Sequence, residues 1–285
     1  MKLFKALALL AIGLSGASNA MAVCTADNLD TDYGFSGHAF APTYVFTGNI
    51  HLDKQPGLNY GVGTYDARLA KIDGTVLPAE GGVKWWISPN CNVNVAIADS
   101  PVLGSYDLFT DLIRVNPNRL VINRMTGMAV ASVTVGRPIA TTSVLNVWPN
   151  AKRSVAKCNA ETVRRTYVQR FQAFNTPDSS VKSFVGLGRA TFRLGNSVRW
   201  GYYYSQDGSE NDYVSGPATA SFDGCYMSFT EKLADGTTHD ITVNLRELDQ
   251  NGVAIGGSGF IVTTPPGGNA YVAPFGLNAS AYSAQ

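Results

Sequence analysis

The stretch Ser88-Pro-Asn-Cys-Asn-Val-Asn-Val-Ala-Ile-Ala-Asp99 decides how the rest of the chain is read. A Ser-Pro-Asn turn leads into strict alternation. Cys91, Val93, Val95 and Ile97 share one face, and Asn92, Asn94, Ala96 and Ala98 share the other. Period-two patterning is the signature of a strand with one buried face. The spacing therefore predicts a strand that carries a cysteine at the head of its core face.

That cysteine lies 67 positions after Cys24, and Cys225 lies 67 positions after Cys158. The two pairs are offset by 134 residues. The same offset superposes Tyr33 on Tyr167, Ala39 on Ala173, Phe40 on Phe174, Gly61 on Gly195 and the turn Asp73-Gly74 on Asp207-Gly208. The second copy of the cysteine strand reads Phe222-Asp-Gly-Cys-Tyr-Met-Ser-Phe-Thr-Glu231, with Cys225, Met227 and Phe229 on one face. A duplicated unit of this length matches the usual size of one domain. Four cysteines allow three pairings, and the repeat selects Cys24–Cys91 and Cys158–Cys225. No Cys-x-x-Cys is present, so the cysteines are expected to be structural staples rather than a redox or metal site.

Elsewhere the chain is punctuated by Asp-Gly or Asn-Gly at 73–74, 207–208, 235–236 and 251–252, dipeptides that tolerate the positive φ of tight hairpins. Asp240-Ile-Thr-Val-Asn-Leu245 alternates cleanly. Only Cys24–Tyr33 and Cys158–Tyr167 leave room for a short helical turn, and 108–115 is ambiguous. The expected fold is all-β: two tandem antiparallel barrel-like units, each stapled by one disulfide, with a β-sandwich as the alternative. An immunoglobulin-type sandwich would place a Tyr two residues before its second cysteine, where this chain has Pro89 and Asp223.

The N-terminus carries Lys2 and Lys5, an apolar run from Ala6 to Leu14, and Ala20-Met21-Ala22. This is the pattern of a cleavable signal peptide cut after Ala22. Export to the periplasm or the medium follows. The expected division is signal peptide 1–22, first unit 23–140, connector 141–157, second unit 158–265 and a flexible tail 266–285. The tail is assigned from its Gly, Pro, Ala and Ser content and its lack of charge. No later stretch is apolar enough for a membrane helix. A net charge of +1 gives no electrostatic case for nucleic acid or anionic lipid.

The segments Tyr33-Gly-Phe-Ser-Gly-His-Ala-Phe40, Phe46-Thr-Gly-Asn-Ile-His-Leu-Asp53, Trp85-Trp-Ile-Ser-Pro-Asn-Cys91 and Met125-Thr-Gly-Met-Ala-Val-Ala-Ser132 together resemble a group of secreted bacterial β proteins of uncharacterised function. Their units run from a Tyr-x-Phe-Ser-Gly start to a Pro-Asp-Cys strand, and in shape they are similar to lipocalin-like (calycin) barrels. The resemblance implies a barrel and supplies no catalytic residues. Copy two departs from it, with Gln169-Arg170 where copy one has Phe35-Ser36.

Constellations for chemistry are sparse. His38, His51 and His239 have no second histidine at metal-ligand spacing, and no metal or cofactor is expected. Gly-x-Ser-x-Gly is absent, and Asp207, Glu210 and Asp212 do not follow a twelve-residue calcium loop. The expectation is a non-enzymatic protein. Two aromatic runs stand out, one holding Trp85 and Trp86, the other Trp200, Tyr202, Tyr203 and Tyr204. They are expected to be strands buried on both faces, or covered at the junction of the copies. The functional alternative is an aromatic platform for a small apolar or carbohydrate ligand. Function thus divides between a binding module and a structural or adhesive envelope spacer, with the partner unknown.

Overall fold

The computed structural model describes residues 24–40, 43–55, 57–97, 100, 103–116, 119–130, 143–150, 157–174, 183–206 and 212–280. The expected signal peptide and residues 141–142 and 151–156 of the expected connector lie outside them.

The first unit is a closed antiparallel barrel of strands β1 (Asp32–Phe40), β2 (Thr43–Asp53), β3 (Tyr60–Lys71), β4 (Val76–Ile87), β5 (Val93–Ile97), β6 (Ser105–Asn116), β7 (Arg119–Val130) and β8 (Ser143–Pro149). Each strand pairs with the next, and β8 returns to β1 with Phe35 opposite Val147. The segment 108–115, ambiguous in sequence, is the middle of β6. The meander follows from short hairpins between alternating strands, and closure removes the sheet edges.

The second unit repeats the plan. β9 (Thr166–Phe174), β10 (Ser183–Phe192), β11 (Ser197–Gln206), β12 (Asp212–Thr219), β13 (Ser221–Asp223), β14 (Tyr226–Lys232), β15 (Thr238–Leu245), β16 (Gly256–Thr264) and β17 (Tyr271–Ala279) form one nine-stranded antiparallel sheet. Its first strand has the bounds of β1 shifted by 134 residues. β17 pairs with both β16 and β9. β12 and β13 are separated only by Ala220, so they act as two halves of one bent strand. The sheet ends they form are thereby joined through the chain. Barrels, not a sandwich, are the outcome.

Both bridges form as the repeat predicts, Cys24 to Cys91 and Cys158 to Cys225. Each is preceded or followed by the expected helical turn, Ala26–Asn28 and Glu161–Val163, both 3-10. Equivalent backbone bonds accompany them, Cys24 N–H to Pro89 O and Cys158 N–H to Gly224 O. Cys91 differs from expectation in one respect. It lies in the turn before β5, in the left-handed region at φ 68°.

Two boundary expectations are corrected. Within the expected flexible tail, residues 271–279 are strand β17, with Tyr271, Val272, Ala273, Phe275 and Leu277 buried. Residues 143–149, placed in the connector, are β8 of the first barrel.

The barrels are fastened to each other. Val45 and Ala70 of the first form an apolar seam with Phe260, Val262 and Val272 of the second. Beside it, Asn244 donates to Asn49 Oδ1 at 3.0 Å and to the Gly48 carbonyl, while Asn150 donates to Asn244 Oδ1 at 3.1 Å and to Asn49 Oδ1. Tyr226 closes the edge, its hydroxyl donating to Asp66 Oδ1 at 2.6 Å, with Arg68 paired to Asp223 and lying over the Tyr226 ring. Buried amides that satisfy one another in this way fix a single docking geometry, because slippage would leave several unpaired at once.

Candidate functional site

Trp85 and Trp86 take opposite sides of β4, as alternation demands. Trp85 is 1% exposed and points into the first barrel, where its indole N–H donates to the Val62 carbonyl at 3.0 Å. Gly61 makes this possible. A Cβ there would stand 2.7 Å from the Trp85 ring. Trp86 points outward and is 47% exposed. Across the β3–β4 ladder it faces Tyr60, also exposed, with Val62 opposite Lys84 two residues further along. Leu58, Asp53 and Gln55 complete a groove of about 410 Å³ whose floor is apolar and whose rim carries Asp53, Gln55 and Lys84.

The second run behaves in the same way. Trp200 and Tyr202 are buried inside the second barrel, stacked with ring centroids 5.5 Å apart, and Tyr204 is half-buried on the same face. Tyr203 is exposed and meets Tyr213 of β12 edge-on at 5.3 Å, with Leu187 opposite it on β10. Expecting both runs to be buried on two faces is therefore wrong for Trp86 and Tyr203. A barrel has one interior, and every second strand residue must face outward. Nor do the six aromatics form one platform. Trp85, Trp200 and Tyr202 are core residues, and the outward pair Trp86 and Tyr203 stand on different barrels.

Inside the second barrel lies a group of polar side chains that the sequence reading passed over. Gln169 of β9, Glu231 of β14 and His239 of β15 are each 0% exposed. Tyr202 Oη approaches His239 Nδ1 at 2.5 Å, and Glu231 Oε2 lies 3.5 Å from the same nitrogen. Tyr202 stacks on the imidazole at 5.8 Å, and Phe171 meets both rings edge-on. Glycines on β10 clear the space: a Cβ at Gly186 would strike the Phe171 ring at 1.9 Å, and one at Gly188 would meet Tyr202 at 2.3 Å. Burial pushes the Glu231 carboxyl up from its ordinary value, against the opposing influence of His239, Tyr202 and Gln169 that face it. The Tyr202 hydroxyl is likewise pushed up by burial and by the charge of Glu231.

The signal for this group was present in the chain. The face holding Cys225, Met227 and Phe229 continues to Glu231, and the face of Ile241, Val243 and Leu245 begins at His239. Gln169 falls between Tyr167 and Phe171 on the inward face of β9.

The remaining histidines are peripheral to it. His51 sits at the surface with Asp32 and Asp53, at 2.8 and 3.6 Å. His38 is lowered from its ordinary value by partial burial. Among the described residues no group of three or more His, Cys, Asp or Glu is placed to hold a metal ion, and no helix is long and apolar enough to cross a membrane.

No protein-family model and no curated protein matches the chain. Among solved structures it is similar to kievitone hydratase from Nectria haematococca, at 8% identity over 92% of this chain and 95% of that one, with a TM-score of 0.29. It is also similar to an AttH-like protein from Nitrosomonas europaea, at 9% identity over 87% and 91%, with a TM-score of 0.30. Likeness at this level carries no argument about chemistry. One of these neighbours is named a hydratase, and the expectation that this chain is not an enzyme is not kept. That exclusion is withdrawn, and no activity is assigned in its place.

Proposed function

We propose that the protein is an exported tandem-barrel binding protein that takes a small sugar-like ligand in the groove between Tyr60 and Trp86. The observation that carries this reading is the exposed cross-strand aromatic pair flanked by Asp53, Gln55 and Lys84. Exposed contiguous aromatics are costly on a monomer and mark interaction sites. An aromatic floor presents a face for the C–H groups of a pyranose, and a polar rim supplies hydrogen bonds that a purely apolar ligand would leave unused. Two disulfides support an oxidising compartment, periplasmic or extracellular. Cleavage after Ala22 and a lipocalin-like family relationship belong to the same proposal.

The experiment is a glycan array followed by calorimetric titration of the hit into wild type, Trp86→Ala and Tyr203→Ala. The reading requires binding that Trp86→Ala removes and Tyr203→Ala leaves intact. Equal binding by all three proteins, or no glycan bound at all, overturns it.

A spacer role is the second reading, and the inter-barrel junction favours it. The apolar seam and the asparagine cluster hold the two units in one orientation. Such a protein would show no ligand-dependent gain in thermal stability.

A further inference from the structure

The outer surface of β9–β12 carries a line of cations without partners. Arg170 of β9 stands opposite Leu187 of β10, Arg189 of β10 stands opposite Gly201 of β11, and Arg199 lies two residues before Gly201. The three arginines therefore run diagonally across three strands, where diagonal neighbours are about 7–8 Å apart. All three are exposed. Arg164 and Arg165, just before β9, are paired with Glu161 and Asp249. Among the described residues Arg170, Arg189 and Arg199 have no ion pair or hydrogen bond, and no outward position of β9–β12 carries a carboxylate. Like charges this close lie within one Debye length and repel, whereas soluble surfaces ordinarily intersperse the two signs. The chain's net charge of +1 conceals this local excess. Along one flank, Leu187, Tyr203 and Tyr213 share a rung with Arg170 and are 56%, 61% and 61% exposed. Tyr213 reaches back over Gly201, where a Cβ would stand 2.3 Å from its hydroxyl oxygen. The phenol thus covers the backbone opposite Arg189, and rings and cations form one continuous surface.

We propose that this face of the second barrel binds a linear acidic polysaccharide whose carboxylates pair with Arg170, Arg189 and Arg199 while its sugar rings lie on Leu187, Tyr203 and Tyr213. Charge complementarity carries the proposal: a single-sign line of cations fits a chain that repeats the opposite charge along its length. Each guanidinium presents a planar fork that matches a carboxylate with two parallel hydrogen bonds, which a lysine does not offer. The exposed apolar flank is costly in a free monomer and is relieved when covered, and the C–H groups of a pyranose suit it. Tyr203 and Tyr213 stand at 61° to each other, so they are not the parallel platform on which consecutive bases stack. The face lies on the other barrel from Tyr60 and Trp86 and does not rest on the groove reading.

The test titrates the whole two-barrel protein with polygalacturonate and, as controls, with its neutral methyl ester and with polyacrylate, which carries carboxylates but no sugar rings. Polygalacturonate should bind at least tenfold more tightly than either control, and added salt should weaken the binding. Arg189→Gln should weaken it about tenfold, Arg170→Gln and Arg199→Gln should each weaken it in the same direction, and every arginine removed should lessen the salt dependence. Tyr203→Ala should weaken binding with the salt dependence unchanged, since it removes a ring contact and no charge. Lys232→Gln, which removes an exposed cation of β14 outside the line, and Trp86→Ala should bind as the wild type does, so this face and the groove fail separately. All these substitutions are at exposed positions, and an unchanged melting temperature shows that each variant is folded. Equal affinity for polyacrylate, no binding of polygalacturonate, or binding indifferent to the three arginines would overturn the proposal. So would capture of phosphatidylglycerol vesicles or of oligothymidylate in place of the polyuronate, which would make the face a lipid or a nucleic-acid surface.

Discussion

Tyr60 and Trp86 stand directly opposite each other across the β3–β4 ladder, both turned to solvent, while Trp85, one residue earlier, is buried beneath them. Neighbouring tryptophans with opposite environments allow binding and stability to be separated by single substitutions. Trp85→Ala empties a core site and strands the Val62 carbonyl, so it should cost about 3–5 kcal/mol in urea unfolding. Trp86→Ala should change stability by less than about 1 kcal/mol, as surface substitutions do, and should abolish ligand binding in the groove. A large stability loss at Trp86 would show that the residue is part of the core after all.

Removing residues 265–285 deletes β17, which bridges β16 and β9. The second barrel would lose Tyr271, Phe275 and Leu277 from its core and expose two strand edges. The truncated chain should lose the native near-ultraviolet circular dichroism of that barrel, and limited proteolysis should leave a resistant fragment ending near Asn150. A truncated protein with the wild-type melting profile would refute the barrel role of this strand.

That strand was also the part of the fold least legible in the sequence. Tyr271-Val-Ala-Pro-Phe-Gly-Leu-Asn-Ala279 has no charge, and Pro274 sits inside it, which reads as an interrupted coil. Pro274 is tolerated because it lies opposite Phe260, one residue before pairing with β9 begins at Phe275. The cysteine strand, by contrast, announced itself through alternation and through a spacing shared by both copies, and so gave the bridges and the barrels. The interior polar group was hidden for a different reason. Gln169, Glu231 and His239 are far apart along the chain, and each is a single polar residue on an otherwise apolar face. Only the closed barrel makes them neighbours.

The bridges Cys24–Cys91 and Cys158–Cys225 each close a loop of 67 residues. In the chain-entropy model a staple over such a loop contributes about 4 kcal/mol by restricting the unfolded chain. Replacing Cys24 and Cys91 with serine should lower the urea midpoint of the first barrel by a corresponding amount and leave the ligand-free fold recognisable. Peptide mapping without reduction should find these two pairings. A Cys24–Cys158 bridge would contradict the two-unit arrangement.

Asn244→Ala removes a donor to Gly48 O and Asn49 Oδ1 and an acceptor for Asn150 in the buried seam between barrels. Leaving those groups unsatisfied should cost roughly 1–3 kcal/mol. The loss falls on the contact between units, so calorimetry should resolve one cooperative transition into two. A single transition at unchanged temperature would mean that the asparagine cluster does not couple the barrels.

Glu231 gives a pH signature with a definite sign. Burial raises its folded-state pKa above the ordinary 4.5, with His239, Tyr202 and Gln169 the groups facing it. Below pH 4.5 both folded and unfolded chains carry the proton, and the carboxyl imposes no ionisation penalty. Above it the unfolded chain releases the proton while the folded chain keeps it. Stability from this group is therefore lost as pH rises, by at most about 1.4 kcal/mol per pH unit, until the folded pKa is passed. Glu231→Gln has the same shape and cannot ionise. The stability of this variant relative to wild type should thus grow from pH 4.5 upward and then level off, measured by urea unfolding across the pH range. If the difference instead shrinks as pH rises, Glu231 is ionised in the folded barrel and held by His239 as an ion pair.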